Sequence, residues 1–357
     1  MSDSQDVSAP PTEDEEAAQN AFVASVQALY NAGTPLFTKE MIRLAQERID
    51  SLAEDLLPEE IELLGFDGKK HAQPFSLSLF TKADGQIYLP EIYFKSFESL
   101  TMPSPSPRGE ESMISVCIVA ASHTCGEKRP GTSQDDVKSA FDRYFRTWEQ
   151  SEAWTTLEQQ IRLHLPTLPK TIDKVIGFGL GDLTYDAIIC GDDDGRKNRS
   201  SEQHALMLML VRLFKEHTGN SVKCYAQDPM YADTCKGILV EKGVDVVHGN
   251  TGFLLVDENS IVLSFSPNIP VRQVIADLPR PAVMACDKIS EPTRSEWQRM
   301  GTAWISPYST DPVSPRVLAM REDYVELLIK TTETVESAVY LRKETIPNLS
   351  QGRVPSS

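Results

Sequence analysis

The chain is short of positive charge. It carries 35 Lys and Arg against 52 Asp and Glu, a formal net charge of −17. Neutralising phosphates with Lys and Arg supplies most nonspecific affinity for nucleic acid. The balance therefore argues against direct binding of DNA or RNA, and against docking on an anionic membrane. Long apolar runs are missing too. No stretch approaches the about 20 residues of a membrane-spanning helix. The first twenty residues lack the basic start and apolar run of a secretory signal. A cytosolic or nuclear protein is expected. Cysteine is sparse and scattered: Cys117, Cys125, Cys190, Cys224, Cys235 and Cys286 form no C-x-x-C pair and no zinc spacing with histidine. In a reducing compartment such cysteines read as core or neutral positions, with no metal site implied. There is no G-x-S-x-G elbow, no recognisable pairing of nucleophile with base, and no internal repeat.

Hydrophobic residues make up 40% of the 357 positions, enough to build a sizeable core. They thin out at both ends. Residues 1–20, with the run Glu13-Asp-Glu-Glu16, read as a disordered acidic tail that is either simply solvated or a docking element for a basic partner. Residues 21–170 read as helices and a hairpin packing on the core. Phe22, Val26 and Leu29 share one helical face, as do Ile42, Ala45, Ile49 and Leu52, with a break at Asn31-Ala-Gly-Thr-Pro35. Phe75 to Phe80 alternates, Ala83-Asp-Gly85 offers a turn and Ile87-Tyr-Leu follows, the pattern of a hairpin. Met113 to Ala121 is an apolar strand. Ser133 to Leu165 is helical, its Val137, Phe141, Phe145 and Trp148 forming a core-facing stripe.

From Thr171 to Ser290 the pattern changes to short apolar runs alternating with helices. Strands are expected from Lys174 running into the glycines up to Gly181, and at Val222–Ala226, Val244–Val247, Ser260–Phe265 and Pro281–Asp287. Helices are expected at Glu202–Glu216, Met230–Lys242 and Val271–Leu278. Alternation of this kind predicts an α/β fold with a Rossmann-like, mostly parallel sheet flanked by helices, and an N-terminal helical and hairpin extension. Residues 291–357 read as a loop, anchored by Trp297 and Trp304, then a terminal helix from Val317 to Lys343.

The first of these strands runs into Gly177-Phe-Gly179-Leu-Gly181. Glycines there let the backbone turn tightly and let a ligand approach. Open parallel sheets bind ligands beyond the carboxyl ends of their strands, and an acid at the end of the second strand binds ribose hydroxyls. Gly177, Gly179, Gly181, Asp182, Asp228 and Pro267 would then converge on one edge as a cofactor or small-ligand site. The full G-x-G-x-x-G fingerprint is absent, since Asp182 stands where its third glycine would fall. A carboxylate there argues against a pyrophosphate and leaves a neutral or cationic ligand such as an adenosyl sulfonium. The plainer reading, glycines that only make a tight strand-to-helix turn, stays open. His204 reads as a partly buried helix-start histidine, His248 as similar, and Asp192-Asp-Asp194 as a solvated loop. No catalytic residue is assigned.

Val175-Ile-Gly-Phe-Gly-Leu-Gly181, Gln203-His-Ala-Leu-Met-Leu-Met-Leu210, Ala226-Gln-Asp-Pro229 and Gly243-Val244, in that order, resemble the Sensitivity to Red light Reduced-like family. The family's Pro-His-Cys motif reads Pro267-Asn268-Ile269 here, which removes residues that would bind metal or haem or do chemistry. The resemblance implies a regulatory protein, associated with circadian and light signalling or haem-biosynthesis regulation, with protein partners and no firmly established enzymatic activity. Two other readings remain: a nucleoside-cofactor methyltransferase, supported by the glycines and Asp228, and a non-catalytic interaction scaffold.

Overall fold

A computed structural model describes residues 12–52, 59–75, 90–102, 109–120, 133–188, 198–291, 298–300, 303–329 and 336–343. Helix α1 (Glu13–Asn31) starts well inside the segment expected to be a disordered tail. The reason is a capping box. The Thr12 hydroxyl accepts from the Glu15 amide, the Glu15 carboxylate accepts from the Thr12 amide, and four acidic residues sit in the first turn, where the helix dipole favours them. Helix α2 (Lys39–Asp50) opens at Thr38, whose hydroxyl accepts from the Met41 amide. A hairpin, β1 (Glu60–Leu64) and β2 (Lys70–Pro74), was not read from the pattern. Most of the expected hairpin at 75–89 lies outside the described residues. Beyond it, β3 (Pro90–Phe94) and short α3 (Phe97–Leu100) are followed by β4 (Val116–Ala120), which pairs antiparallel with β3.

The helical stretch after Ser133 is two helices, α4 (Gln134–Glu149) and α5 (Glu152–His164), because the Ser151 hydroxyl caps a new start at the Trp154 amide. Then come β5 (Lys174–Phe178), α6 (Leu183–Ile188), α7 (Arg199–Thr218), β6 (Lys223–Gln227), α8 (Asp233–Glu241), β7 (Val244–Val246), α9 (Thr251–Leu255), β8 (Ser260–Ser264), α10 (Val271–Asp277) and β9 (Val283–Asp287). The loop expected after Ser290 contains a small hairpin, β10 (Gln298–Met300) and β11 (Ala303–Ile305). Trp297 lies outside the described residues.

The terminal helix expected over 317–343 is confined to α11 (Pro315–Arg321). It gives way to β12 (Tyr324–Ile329) and β13 (Ser337–Arg342). Both strands are rich in β-branched, aromatic and leucine side chains. β13 pairs antiparallel with β9, so the sheet captures a segment that local spacing alone assigned to a helix. The seven strands run in the order β12-β13-β9-β8-β5-β6-β7, and β9, β8, β5, β6 and β7 are parallel.

Each face of this sheet is buried. On one, α4, α5, α7 and α8 cover Val175, Ala226, Ile261, Leu263, Ala285 and Val339. On the other, the N-terminal helices and strands, with α9 to α11, cover Ile176, Phe178, Val262, Met284 and Tyr340. The N-terminal segment is also tied in by polar contacts. Asp277 accepts from the Leu36 and Phe37 amides at 2.7 and 3.1 Å and from Arg316 Nη1 at 2.7 Å. The Arg316 guanidinium stacks 3.9 Å over the Tyr30 ring. Among the described residues no helix is long and apolar enough to cross a membrane.

Candidate functional site

Chain order reverses at β5. From it the chain steps outward to β6 and β7, then returns to β8 on the other side. Ligands of open parallel sheets bind at such a reversal, beyond the strand ends. Four of the residues named from the sequence end β5 or follow it, Asp228 directly follows β6, and Pro267 lies three residues past β8, so all six stand on this edge. Phe178 is in register with Gln227, and the Gly179 amide donates to the Gln227 carbonyl at 2.9 Å.

The three glycines are needed for different reasons. A Cβ on Gly177 would lie 2.5 Å from Leu180 Cδ1 and 3.0 Å from Met207 Sδ, so this glycine lets the loop and α7 close down on the strand. Gly181 has φ +79°, and a Cβ there would lie 2.4 Å from the Ser200 hydroxyl. Gly179, at φ +63°, meets only Pro267 Cβ at 3.6 Å and forms the open corner. Two of the three thus serve packing, and the third leaves room.

Both aspartates are spent on backbone. Asp228 Oδ2 accepts from the Gly181 amide and Oδ1 from the Met230 amide, each at 2.8 Å. Asp182 is turned inward and buried. Its Oδ1 accepts from the Thr184 amide at 2.7 Å and from the Thr184 hydroxyl, and its Oδ2 accepts from the Ala232 amide. The expectation that Asp182 would confront a ligand phosphate is therefore not met; its charge is directed into the start of α6 and the β6–α8 turn.

Residues not assigned to the site from the sequence complete the edge. With its amide oriented to satisfy both neighbours, Gln203 donates to the Leu180 carbonyl at 3.2 Å and accepts from Arg199 Nε at 3.1 Å, pinning the glycine loop to α7. Asp186 accepts from the Ser201 amide at 2.5 Å, and burial raises its carboxyl above the ordinary range. His204 is wholly buried rather than partly so. Its Nδ1 lies 2.6 Å from the Ser200 carbonyl and its Nε2 2.8 Å from the Tyr231 hydroxyl. Burial pushes its pKa down to about 4. The neutral ring donates from Nδ1 and accepts the Tyr231 O–H at Nε2. His248 is exposed. On the β8 side, Ser266 adopts φ +45°, uncommon for a residue with a side chain. Its amide and hydroxyl both donate to Asp287 Oδ2, at 2.8 and 3.0 Å. The Ser264 hydroxyl is buried with no partner among the described residues. Beside the loop, Trp148, Gln203, Phe265 and Ser337 border a cavity of about 20 Å³, room for a water. No cluster of His, Cys, Asp and Glu able to hold a metal occurs among the described residues.

The model of the SRR1 domain matches residues 155–341, more than half of the chain and nearly all of the seven-stranded sheet. The chain belongs to the SRR1-domain family. The matched span extends past Ser290 through β13, in keeping with the strands at the C-terminal end. No curated protein matches the chain. Among solved structures, the chain is similar to cofactor-bound Rv0187 from MTB, at 12% identity and a TM-score of 0.26, covering 61% of this chain and 84% of that one. It is also similar to the 1,6-didemethyltoxoflavin-N1-methyltransferase of Burkholderia thailandensis with bound 1,6-didemethyltoxoflavin and S-adenosylhomocysteine. There the identity is 10% and the TM-score 0.28, covering 64% and 95% of the two chains. Likenesses at these scores carry no argument about what this SRR1-domain protein binds.

Proposed function

We propose that this SRR1-domain protein is a regulator, acting in the cytosol or nucleus, that responds to a small ligand at the carboxyl edge of its sheet. The observation that supports this best is the bond from the Gly181 amide to the Asp228 carboxylate. A Rossmann-like loop offers such an amide to a ligand; here the protein's own carboxylate holds it. A ligand that draws Asp228 away, through hydroxyls or a cationic group, would free both the Gly181 and the Met230 amides and change the set of the glycine loop. The same bond weakens the case for a standing catalytic site. Circadian or light signalling and haem-biosynthesis regulation are the settings that the family suggests.

A thermal-shift screen with adenosyl cofactors, nucleotides and haem tests this. At about 100 times its dissociation constant a ligand adds about 2.7 kcal/mol of stability. One class should raise the midpoint of the native protein and leave Gly179→Val and Asp228→Ala unmoved. If nothing shifts the native protein, the scaffold reading stands in place of the sensor. A shift that survives both substitutions puts the ligand elsewhere. The methyltransferase reading rests on Asp228 following β6 directly, where a ribose would sit. A shift by adenosyl cofactors alone, with methyl transfer to an acceptor, would favour it.

A further inference from the structure

β12 ends the large sheet, and among the described residues nothing pairs with its outer side. Two bonds establish which of its backbone groups face outward. The Lys343 amide donates to the Asp323 carbonyl, and the Arg342 amide to the Ala282 carbonyl. Alternate residues of an antiparallel pair bond to opposite neighbours. With Tyr324 in register with Arg342, the pairs Val325/Leu341, Leu327/Val339 and Ile329/Ser337 bond inward, and the amides and carbonyls of Tyr324, Glu326 and Leu328 are left on the open side. Exposed edges are usually blunted by lysine, proline or a bulge. Tyr324-Val-Glu-Leu-Leu-Ile329 contains no lysine or proline, its pairing with β13 is unbroken, and Leu328 is 50% exposed.

A groove of about 360 Å³ runs between this edge and α5. Its floor is Leu157 and Leu327, and its far wall is Ala153, Thr156 and Gln160. These three recur at helical spacing, and Leu163, 78% exposed, continues their row. Gln160 Oε1 is buried there and accepts no hydrogen bond among the described residues. On the other face of the edge strand stands the Glu326 side chain. One of its oxygens accepts from the Tyr340 hydroxyl at 2.9 Å. Lys288 on that side is already paired with Glu336 at 2.8 Å.

We propose that β12 is a docking edge for an extended peptide of a partner protein, which adds to the sheet as an eighth strand. Main-chain bonds to Glu326 and Leu328 would hold it, and alternate side chains would decide which peptides fit. One set enters the groove beneath α5, where Leu157 and Leu327 select apolar groups and Gln160 Oε1 takes a donor. The other set meets Leu328 and Glu326, on a chain of net charge −17. The complementary sequence alternates apolar and basic residues.

The probe is a fluorescein-labelled hexapeptide of alternating valine and lysine, titrated against the full chain by fluorescence polarisation. Its control is the same peptide with every second backbone nitrogen methylated. Saturable binding of the plain peptide is expected, at least tenfold weaker for the methylated one, with amide exchange slowed at Glu326 and Leu328. Leu328→Pro removes one outward donor at an edge position, where proline is tolerated, and should weaken binding about tenfold. Leu328→Lys leaves the backbone intact and should also weaken binding, through repulsion, if the proline variant fails to fold. Equal binding of both peptides, or binding unaffected by Leu328→Lys, overturns the proposal. So does slowed exchange at Glu326 and Leu328 that grows with protein concentration alone and accompanies a dimer mass, since a second copy would then be the occupant.

Discussion

His204 offers a measurable test of how the carboxyl edge is built. It is wholly buried, bonded to Tyr231 and the Ser200 carbonyl, and its pKa is pushed from 6.5 down to about 4. In the unfolded chain it returns to about 6.5. Between the two values the unfolded state binds a proton that the folded state refuses, so stability rises with pH across that window and is lost as pH falls through it. At about pH 5.5, roughly one unit below the unfolded value, the loss from this group alone is about 1.4 kcal/mol relative to about pH 7.5. His204→Gln keeps an acceptor for the Tyr231 hydroxyl and removes the titration. The variant should be less stable at pH 7.5 by about 1–2 kcal/mol, through imperfect packing. Its deficit should shrink by about 1.4 kcal/mol on going to about pH 5.5. Urea unfolding of both proteins at the two pH values reads this directly. Asp311, whose burial raises it to about 6, titrates in the same window in both proteins and cancels in the difference. Parallel stability profiles for the two proteins would refute a buried neutral His204.

Gly181→Ala places a methyl group against the Ser200 hydroxyl at a positive φ, and should cost about 2–4 kcal/mol in urea unfolding. Gly33→Ala, at φ +88° with open space around it, should cost only about 1 kcal/mol. Equal costs would mean the glycine loop is not packed against α7. Arg272 and Asp311 form an ion pair with side chains 8% and 3% exposed, joined by Nε to Oδ2 at 2.9 Å and by the Arg272 amide to Oδ1 at 3.1 Å. Asp311→Ala should destabilise by about 3–5 kcal/mol because it strands a buried guanidinium. Adding Arg272→Met should restore part of that, and additive losses in the double-mutant cycle would show that the two do not act as a unit. Thr12→Ala removes the cap of α1 at a cost of about 0.5–2 kcal/mol, read as faster amide exchange over Glu15 to Ala18 with little change in the global midpoint.

Of the five parallel strands, β5, β8 and β9 were legible because each is a short apolar run covered on both faces, and β6 and the short β7 because their apolar residues fall between helices. β12 and β13 were not. Val317 and Met320 are spaced for a helix, and nothing local marks the change at Tyr324; what makes Ser337–Arg342 a strand is β9 beside it. The β1–β2 hairpin was missed for a related reason. Its alternation in Glu60-Ile-Glu-Leu-Leu64 is brief, and the Lys69, Lys70 and His71 that follow look like surface loop until Asp67 bonds the His71 ring at 2.9 Å. The start of α1 was hidden by composition: a run of acids resembles a solvated tail unless the Thr12–Glu15 reciprocity is noticed.

The residues named from the sequence share one edge of the sheet, but their spacing says less about their chemistry there. Strand order and spacing put Gly179 beside Pro267 and Asp228 beside the glycine loop. They do not disclose where a carboxylate points. Asp182 and Asp228 were weighed as groups facing a ligand, yet each accepts backbone amides of the neighbouring turns. A carboxylate on one or two amides is well satisfied, so a ligand at this corner must offer more than the Gly181 and Met230 amides do. That requirement narrows the candidates. A weakly polar molecule would leave Asp228 where it is, and only a group that binds the carboxylate directly, or an anion strong enough to take its amides, would move the loop. Any regulatory signal read here is therefore a competition with Asp228, and its strength should track what stands at that position: strongest response with aspartate, altered selectivity with asparagine, and none with alanine.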